Sequence, residues 1–139
     1  CSIKATIGLI DTGVKADHPA LRQGNVTRLS SRSEDRRASS ERHGTAVAAL
    51  VGGDTTQNHP GLLPAAELVA VDAFHRGADA GDTADSYDLV KALDILAGRN
   101  VRIVNLSLAG DDNAVVRDIV LNVTGKGMVL VAAAGNGGA

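Results

Sequence analysis

Three short motifs in this chain carry side chains able to do acid–base and electrostatic chemistry at a carbonyl. Asp11 lies in Asp11-Thr12-Gly13 behind the apolar run Ile7-Gly8-Leu9-Ile10, His43 opens His43-Gly44-Thr45, and Asn136 closes Ala133-Ala134-Gly135-Asn136 behind Val129-Leu130-Val131-Ala132. A carboxylate beside an imidazole fixes its tautomer and orientation. A neutral imidazole takes a proton as general base, and an amide on a rigid strand tip donates to a developing oxyanion. Each motif also has a plainer reading. An Asp after a strand is commonly a turn or cap residue, a lone histidine commonly a satisfied core or capping group, and Asn-Gly by itself a turn. Gly44 and Thr45 are poor helix-interior residues, so a histidine placed before them at a helix start reads as a positioned side chain.

The elements that must present these residues alternate between strand and helix patterns. Ala5 to Ile10 reads as a buried strand, His18-Pro19 as a bend and Asn25 to Leu29 as a short second strand. Ser30 to Arg42 is a polar, charge-mixed stretch expected to be mobile or to lie on the surface. From His43 the residues Val47, Ala48, Leu50 and Val51 predict a short buried helix closed by Gly52-Gly53 in a left-handed cap. Leu68 to Phe74 predicts a strand; Leu89, Val90, Leu93, Leu96 and Ala97 recur at helical spacing until Gly98; Val101 to Leu106 predicts another strand. Val116, Ile119, Val120 and Val123 form a helical stripe ending at Gly125, and Met128 to Ala133 a last strand.

Such alternation implies an α/β fold: three layers, a mostly parallel sheet with helices on both faces, and ligands off the carboxyl ends of the strands. Asp11, Ser107 and Gly135-Asn136 fall at such ends. Asp-Thr-Gly also marks aspartic proteases, where two copies share a proton on a β-rich fold, and the alternation argues against that architecture. His18, His59 and His75 lie in turn-like or loop-like stretches, read as surface residues, and show no metal-ligand spacing.

With 139 residues, 44% hydrophobic and 22% charged, the chain fits one domain over residues 1–139. A net charge of −2, from 14 Lys and Arg against 16 Asp and Glu, favours neither nucleic acid nor an anionic membrane surface. Phe74 and Tyr87 are the only aromatics, too few for base stacking, and no apolar run nears the roughly 20 residues that span a bilayer. Cys1 is the single cysteine, so no internal disulfide forms. A start at Cys1 without Met, followed almost at once by a strand, reads as an excised or processed segment.

Taken together, Ile10-Asp11-Thr12-Gly13, His43-Gly44-Thr45-Ala46-Val47-Ala48, Asn105-Leu106-Ser107-Leu108 and Ala133-Ala134-Gly135-Asn136 resemble the subtilisin-like serine proteases in order and spacing over essentially the whole chain. Weaker matches are His18-Pro19 and the Gly61 to Leu68 approach to a strand. The resemblance implies a subtilisin-like fold and a serine endopeptidase working by an Asp-His-Ser mechanism. Asp11 would orient His43, His43 would act as general base and then acid, and Asn136 would stabilise the oxyanion. Ser107, Leu108 and Ala109 would line one wall of the specificity pocket, with Ala133, Ala134 and Gly135 opposite. Ala109 stands where the family commonly has Gly.

The family's nucleophile belongs to a Gly-Thr-Ser motif downstream of the oxyanion Asn, and no such motif occurs here. The chain therefore reads as the N-terminal part of a catalytic domain, incomplete at its C-terminus and expected to be inactive alone. Its implied partners are a peptide or protein substrate and the remaining C-terminal part of that domain, with self-association through an unfinished sheet. A secreted or periplasmic location is implied likewise. No cofactor is expected, because the carboxylate that binds structural calcium after His-Pro in many subtilases is replaced by Ala20. Asp79, Asp82 and Asp85 read either as a solvated acidic loop or as a preference for basic peptide side chains. A noncatalytic peptide-binding domain on the same scaffold is the alternative reading.

Overall fold

The computed structural model describes residues 5–22, 24–58, 60–79 and 81–135; Cys1, His59 and Asn136 lie outside them. Seven strands and three helices follow one another as β1 (Thr6–Asp11), β2 (Val26–Ser30), α1 (Arg42–Gly52), β3 (Glu67–Asp72), β4 (His75–Arg76), β5 (Asp82–Thr83), α2 (Ser86–Gly98), β6 (Ile103–Leu106), α3 (Ala114–Gly125) and β7 (Val129–Ala132). Five of the strands form one sheet in the order β2-β3-β1-β6-β7, every pairing parallel, and β4 and β5 form a separate antiparallel pair. This is the expected mostly parallel sheet with helices on both faces. A β-rich aspartic-protease architecture is thereby excluded.

Strand β1 is central and apolar on both sides because both sides are covered. Ile7 and Leu9 join a core with Ala48 of α1 and Leu68 and Ala70 of β3, while Ile10 joins a core with Leu93 and Leu96 of α2, Val104 of β6 and Val123 of α3. Alternate residues of a strand point to opposite faces, which separates the two cores. Each fully buried Leu or Ile contributes about 1.5–3 kcal/mol relative to exposure. The end of β1 is therefore among the most firmly placed points in the molecule, and Asp11 stands there.

The expected helical stripes on α2 and α3 are the buried ones, with Leu93, Leu96 and Val123 at 3% exposure or less. In α1 the outcome differs: Leu50 is 70% exposed, and the inward face is made of Gly44, Thr45, Ala48 and Gly52. Small residues there let the helix sit close against the sheet. The expected left-handed cap at Gly53 is also corrected, since its φ of −57° and ψ of 145° are extended. A Cβ on Gly53 would come within 2.4 Å of Ala49 O, so crowding by the last turn of α1 is what demands glycine.

The stretch from Ser30 to Arg42 lies on the surface but is tied down. Ser31 and Ser39 are buried, Ala38 forms an antiparallel bridge with His75, and Arg36 Nη1 lies 2.7 Å from His75 Nε2. His75 is thus a buried residue, 5% exposed, rather than the surface histidine its loop-like context suggests. Burial comes from tertiary pairing that no local pattern announces.

Candidate active site

The β1 strand ends by turning Asp11 toward the start of α1. Thr12 N donates to Asp11 Oδ1 at 2.7 Å, and His43 Nδ1 lies 2.7 Å from the same oxygen. Asp11 is 3% exposed, whereas the His43 side chain is 59% exposed. A buried carboxylate thus holds one nitrogen of an imidazole whose other edge faces outward. Asp11 Oδ2 is buried and receives no donor among the described residues.

Contacts between the Asp11 turn and the helix start bring the pair together. Gly44 N donates to Thr12 Oγ1 at 2.9 Å, so a hydroxyl from the turn satisfies one of the amides left free at the start of α1. A Cβ on Gly44 would stand 2.3 Å from Thr12 O and 2.6 Å from Gly13 O. Only glycine admits this approach, which gives the His-Gly pairing a steric cause. One residue on, Thr45 Oγ1 accepts from Lys15 N at 2.9 Å and donates to Glu41 O, clasping the chain after the turn to the helix.

A second set of residues gathers around a groove of about 810 Å³ at the carboxyl ends of β6 and β7. Leu108, Ala109 and Gly110 line it after β6, and Ala133, Ala134 and Gly135 after β7. Phe74, Leu89, Val116 and Val120 add apolar lining, and Asp82, Asp111 and Asp112 add acids. Asp82 accepts from Ser40 N and pairs with Arg76, and Asp112 pairs with Arg117. The two acids are thereby engaged; Asp111 is exposed on the groove's lining.

Five of the six residues expected to line a specificity pocket thus share one groove. Ser107 does not line it; its Oγ accepts from Asn105 Nδ2 at 2.7 Å beside the strand end. Asn136 lies outside the described residues. Unforeseen neighbours are Thr12, Ser39 and Asp72 behind the Asp11 turn and Asn113 on the groove. Asn113 Oδ1 accepts from Val115 N and Val116 N at the start of α3, a cap legible as an Asn ahead of the apolar stripe.

Burial raises the Asp72 carboxyl above its ordinary value, opposed by hydrogen bonds from Ser39 and Phe74 N and by the Arg32 charge. Among the described residues one cluster has metal-ligand character: His75, Asp85 and Asp88, with ligand atoms within 4.8 Å of one another. Arg36 already bonds His75 Nε2 and, at 3.1 Å, Asp85 Oδ2, so a guanidinium holds that position.

Comparison with known proteins gives a consistent result. The model of the Subtilase family matches residues 2–139. Subtilisin DY of Bacillus licheniformis is 29% identical over 135 residues, covering 95% of this chain and 47% of that protein. A thermophilic serine proteinase of Bacillus sp. (strain AK1) is 31% identical over 137 residues, covering 95% of this chain and 33% of that protein. The minor extracellular protease Epr of Bacillus subtilis (strain 168) is 29% identical over 134 residues, 95% of this chain and 20% of that protein. Among solved structures, the protease domain of PatA superposes with a TM-score of 0.79 at 23% identity, covering 96% of this chain and 50% of that one. The prenylagaramide maturation protease PagA gives 0.74 at 22% identity, covering 95% and 46%. The chain therefore spans less than half the length of these relatives and about half of the structures it resembles.

Proposed function

The chain belongs to the subtilase family of serine proteases, and on that premise we propose that the whole protein hydrolyses peptide bonds with Asp11 and His43 as two members of an Asp-His-Ser triad. The observation that carries this reading is the 2.7 Å contact between a buried Asp11 Oδ1 and His43 Nδ1. Asp11 keeps the proton on Nδ1 and leaves Nε2 to take a proton from the attacking hydroxyl and return it to the leaving amine. Asn136 completes the reading as the side-chain donor to the tetrahedral oxyanion, by carry-over from the family motif.

The groove after β6 and β7 supplies a bed for the substrate, with Leu108 and Ala109 on one side and Ala133, Ala134 and Gly135 on the other. Its apolar lining suits an apolar side chain, and the exposed Asp111 on the same lining suits a basic one. In residues 1–139 no serine within the described part is hydrogen-bonded to His43, and the family's Gly-Thr-Ser motif is missing from the sequence. The nucleophile is therefore assigned to a segment outside this stretch, and residues 1–139 alone are expected to leave peptides uncut.

A secreted location agrees with a relative that is an extracellular protease. Among the described residues no helix is long and apolar enough to cross a membrane.

The test is labelling of the whole protein with a serine-directed fluorophosphonate alongside cleavage of a peptide panel. The expected result is covalent labelling and cleavage that Asp11→Asn and His43→Ala both abolish. Cleavage that survives His43→Ala would overturn the assignment. Peptide binding by a whole protein that neither labels nor cleaves would instead favour the noncatalytic reading, for which the missing serine motif is the supporting observation.

A further inference from the structure

Behind the Asp11 turn lies a chain of hydrogen bonds that the triad itself does not use. Gly13 N donates to Ser39 Oγ at 2.9 Å, and Ser39 Oγ stands 2.9 Å from Asp72 Oδ1. An amide N–H only donates, so Ser39 accepts from Gly13 and gives its single proton to Asp72. Phe74 N donates to the same Asp72 oxygen at 3.2 Å, and Arg32 Nε lies 3.6 Å from the other. Asp72 ends β3 directly in register with Asp11 at the end of β1, and Ala73 N donates to Asp11 O at 3.1 Å. The side chain of Asp72 is 14% exposed and Ser39 is 9% exposed.

We propose that Asp72 is a positioning residue for the Asp11–His43 pair, acting through the Ser39 hydroxyl on the amide of Gly13. The inference rests on the proteolytic reading above and adds to it what holds the turn still. Thr12 is the only residue between two fixed points, Asp11 in the sheet and Gly13 on Ser39. Both contacts that aim the pair come from Thr12: its amide reaches Asp11 Oδ1, and its hydroxyl receives Gly44 N from the helix that carries His43. Releasing Gly13 unpins the C-terminal side of Thr12, so the Asp11-Thr12 peptide and the Thr12 side chain are free to shift. Asp11 Oδ1 then loses its 2.7 Å donor and the helix start loses its Thr12 tether, keeping the one between Thr45 and Lys15, while Ser39 itself does not line the substrate groove.

Two further features set this network apart from ordinary packing. Its three anchor points, on the Ser30 to Arg42 stretch, the β3 tip and the Asp11 turn, are far apart in sequence and meet only behind Asp11. The acid is also kept where burial disfavours its charge, which fits a demand for a strong acceptor at Ser39.

The experiment measures kcat and KM on a peptide substrate in the whole protein, with the active fraction counted by fluorophosphonate titration and the His43 Nδ1 proton followed by its low-field NMR signal. Ser39→Ala leaves a buried amide unpaired, and kcat per active site is expected to fall about tenfold with KM changed by less than about twofold and the low-field signal shifted. Asp72→Ala is expected to lower kcat likewise, with KM shifting as well because Phe74 on the groove loses the acceptor of its amide, and the double variant to lose little more than the worse single one. Asp72→Asn keeps the acceptor facing Ser39 and recovers most of the rate lost in Asp72→Ala.

Unchanged kcat and NMR signal in Ser39→Ala would overturn the proposal, even should Asp72→Ala fail to fold. So would losses that multiply in the double variant, or a loss residing wholly in the active fraction. Activity surviving His43→Ala would sink the proteolytic reading instead, a different outcome from any of these.

Discussion

The β2-β3-β1 half of the sheet and the β6-β7 half each carry one part of the site, and they differ in how completely they are closed. On the first half, Leu9 and Ile10 are fully buried, α1 covers one face and α2 the other, and Asp11 and His43 are joined through Thr12 and Gly44. On the second, Val104 and Leu130 pack toward α2 and α3, but Ile103, Val129 and Val131 on the opposite face are 40%, 56% and 53% exposed. Strands β7 and β2 are the two edges of the sheet. The Asp11–His43 contact is made by residues of the closed half, while the groove wall after β7 stands on a strand covered on one side only. Within residues 1–139 the closed and the open faces thus fall on different halves of the sheet.

The largest effect is expected from removing the imidazole of the closed half. His43→Ala in the whole protein is expected to lower turnover on the order of 10⁶, a scale borrowed from loss of the equivalent residue in subtilisin. The global fold should persist, since that side chain is 59% exposed and, among the described residues, its side-chain bond is to Asp11. Stopped-time peptide cleavage with circular dichroism as control checks both statements. A loss of only tenfold would mean that the closed half does not hold the general base.

Gly44→Ala attacks the closure itself. Its methyl would meet Thr12 O at 2.3 Å and Gly13 O at 2.6 Å, backbone atoms that cannot swing aside, so α1 must withdraw from the turn. Misplacement by about 1 Å costs roughly 10² in rate, and that is the expected fall in kcat, accompanied by a lower melting temperature. A variant as fast as the parent would show that the tight approach is incidental.

Turning to the open half, an apolar strip of this kind invites association. Residues 1–139 in isolation are expected to self-associate with rising concentration, and Val129→Lys with Val131→Lys to weaken that association about tenfold or more by placing two charges on the strip. Sedimentation velocity over a concentration series measures it. A chain monomeric at all concentrations, or unmoved by the lysines, would mean that exposure of this face has no consequence in solution.

How much of this was legible in the residues follows the same division of local from distant. The strand β1 and the stripes of α2 and α3 announce themselves, because apolar period and inward-facing side chains coincide over several residues. Motif order brought Asp11 to His43 and Leu108 and Ala109 to Ala133 and Gly135. Leu50 misled because large apolar residues are the usual mark of an inward face, whereas α1 packs through Gly44, Ala48 and Gly52. His75 misled because its burial depends on two-residue strands, too short for any periodicity, and on Arg36 far earlier in the chain. Ser39 and Asp72 carried no signal at all. Each is an ordinary loop or strand-end residue until the fold sets them 2.9 Å apart.

That last contact yields the smallest effect and the finest contrast between the halves. Burial raises the Asp72 carboxyl above its unfolded value of 3.8, so between that value and the raised one the folded state binds more protons than the unfolded state. Stability then falls as pH rises through this window; the residue's contribution is present below 3.8 and lost above the raised value. At neutral pH an ionised Asp72 is a net cost, and Asp72→Asn is expected to melt a few degrees higher than the parent, the gap closing as the pH is taken down toward 3. Asp111→Asn, a swap of the same kind at an exposed position on the groove, should move stability by no more than about 0.5 kcal/mol. Melting curves across pH for the three proteins decide it. A pH-independent gap for Asp72→Asn would remove the claim that the closed half keeps an acid at the expense of stability. A gap that closes at low pH, with kcat lower than in the parent, would show the charge itself being retained for the turn that carries Asp11.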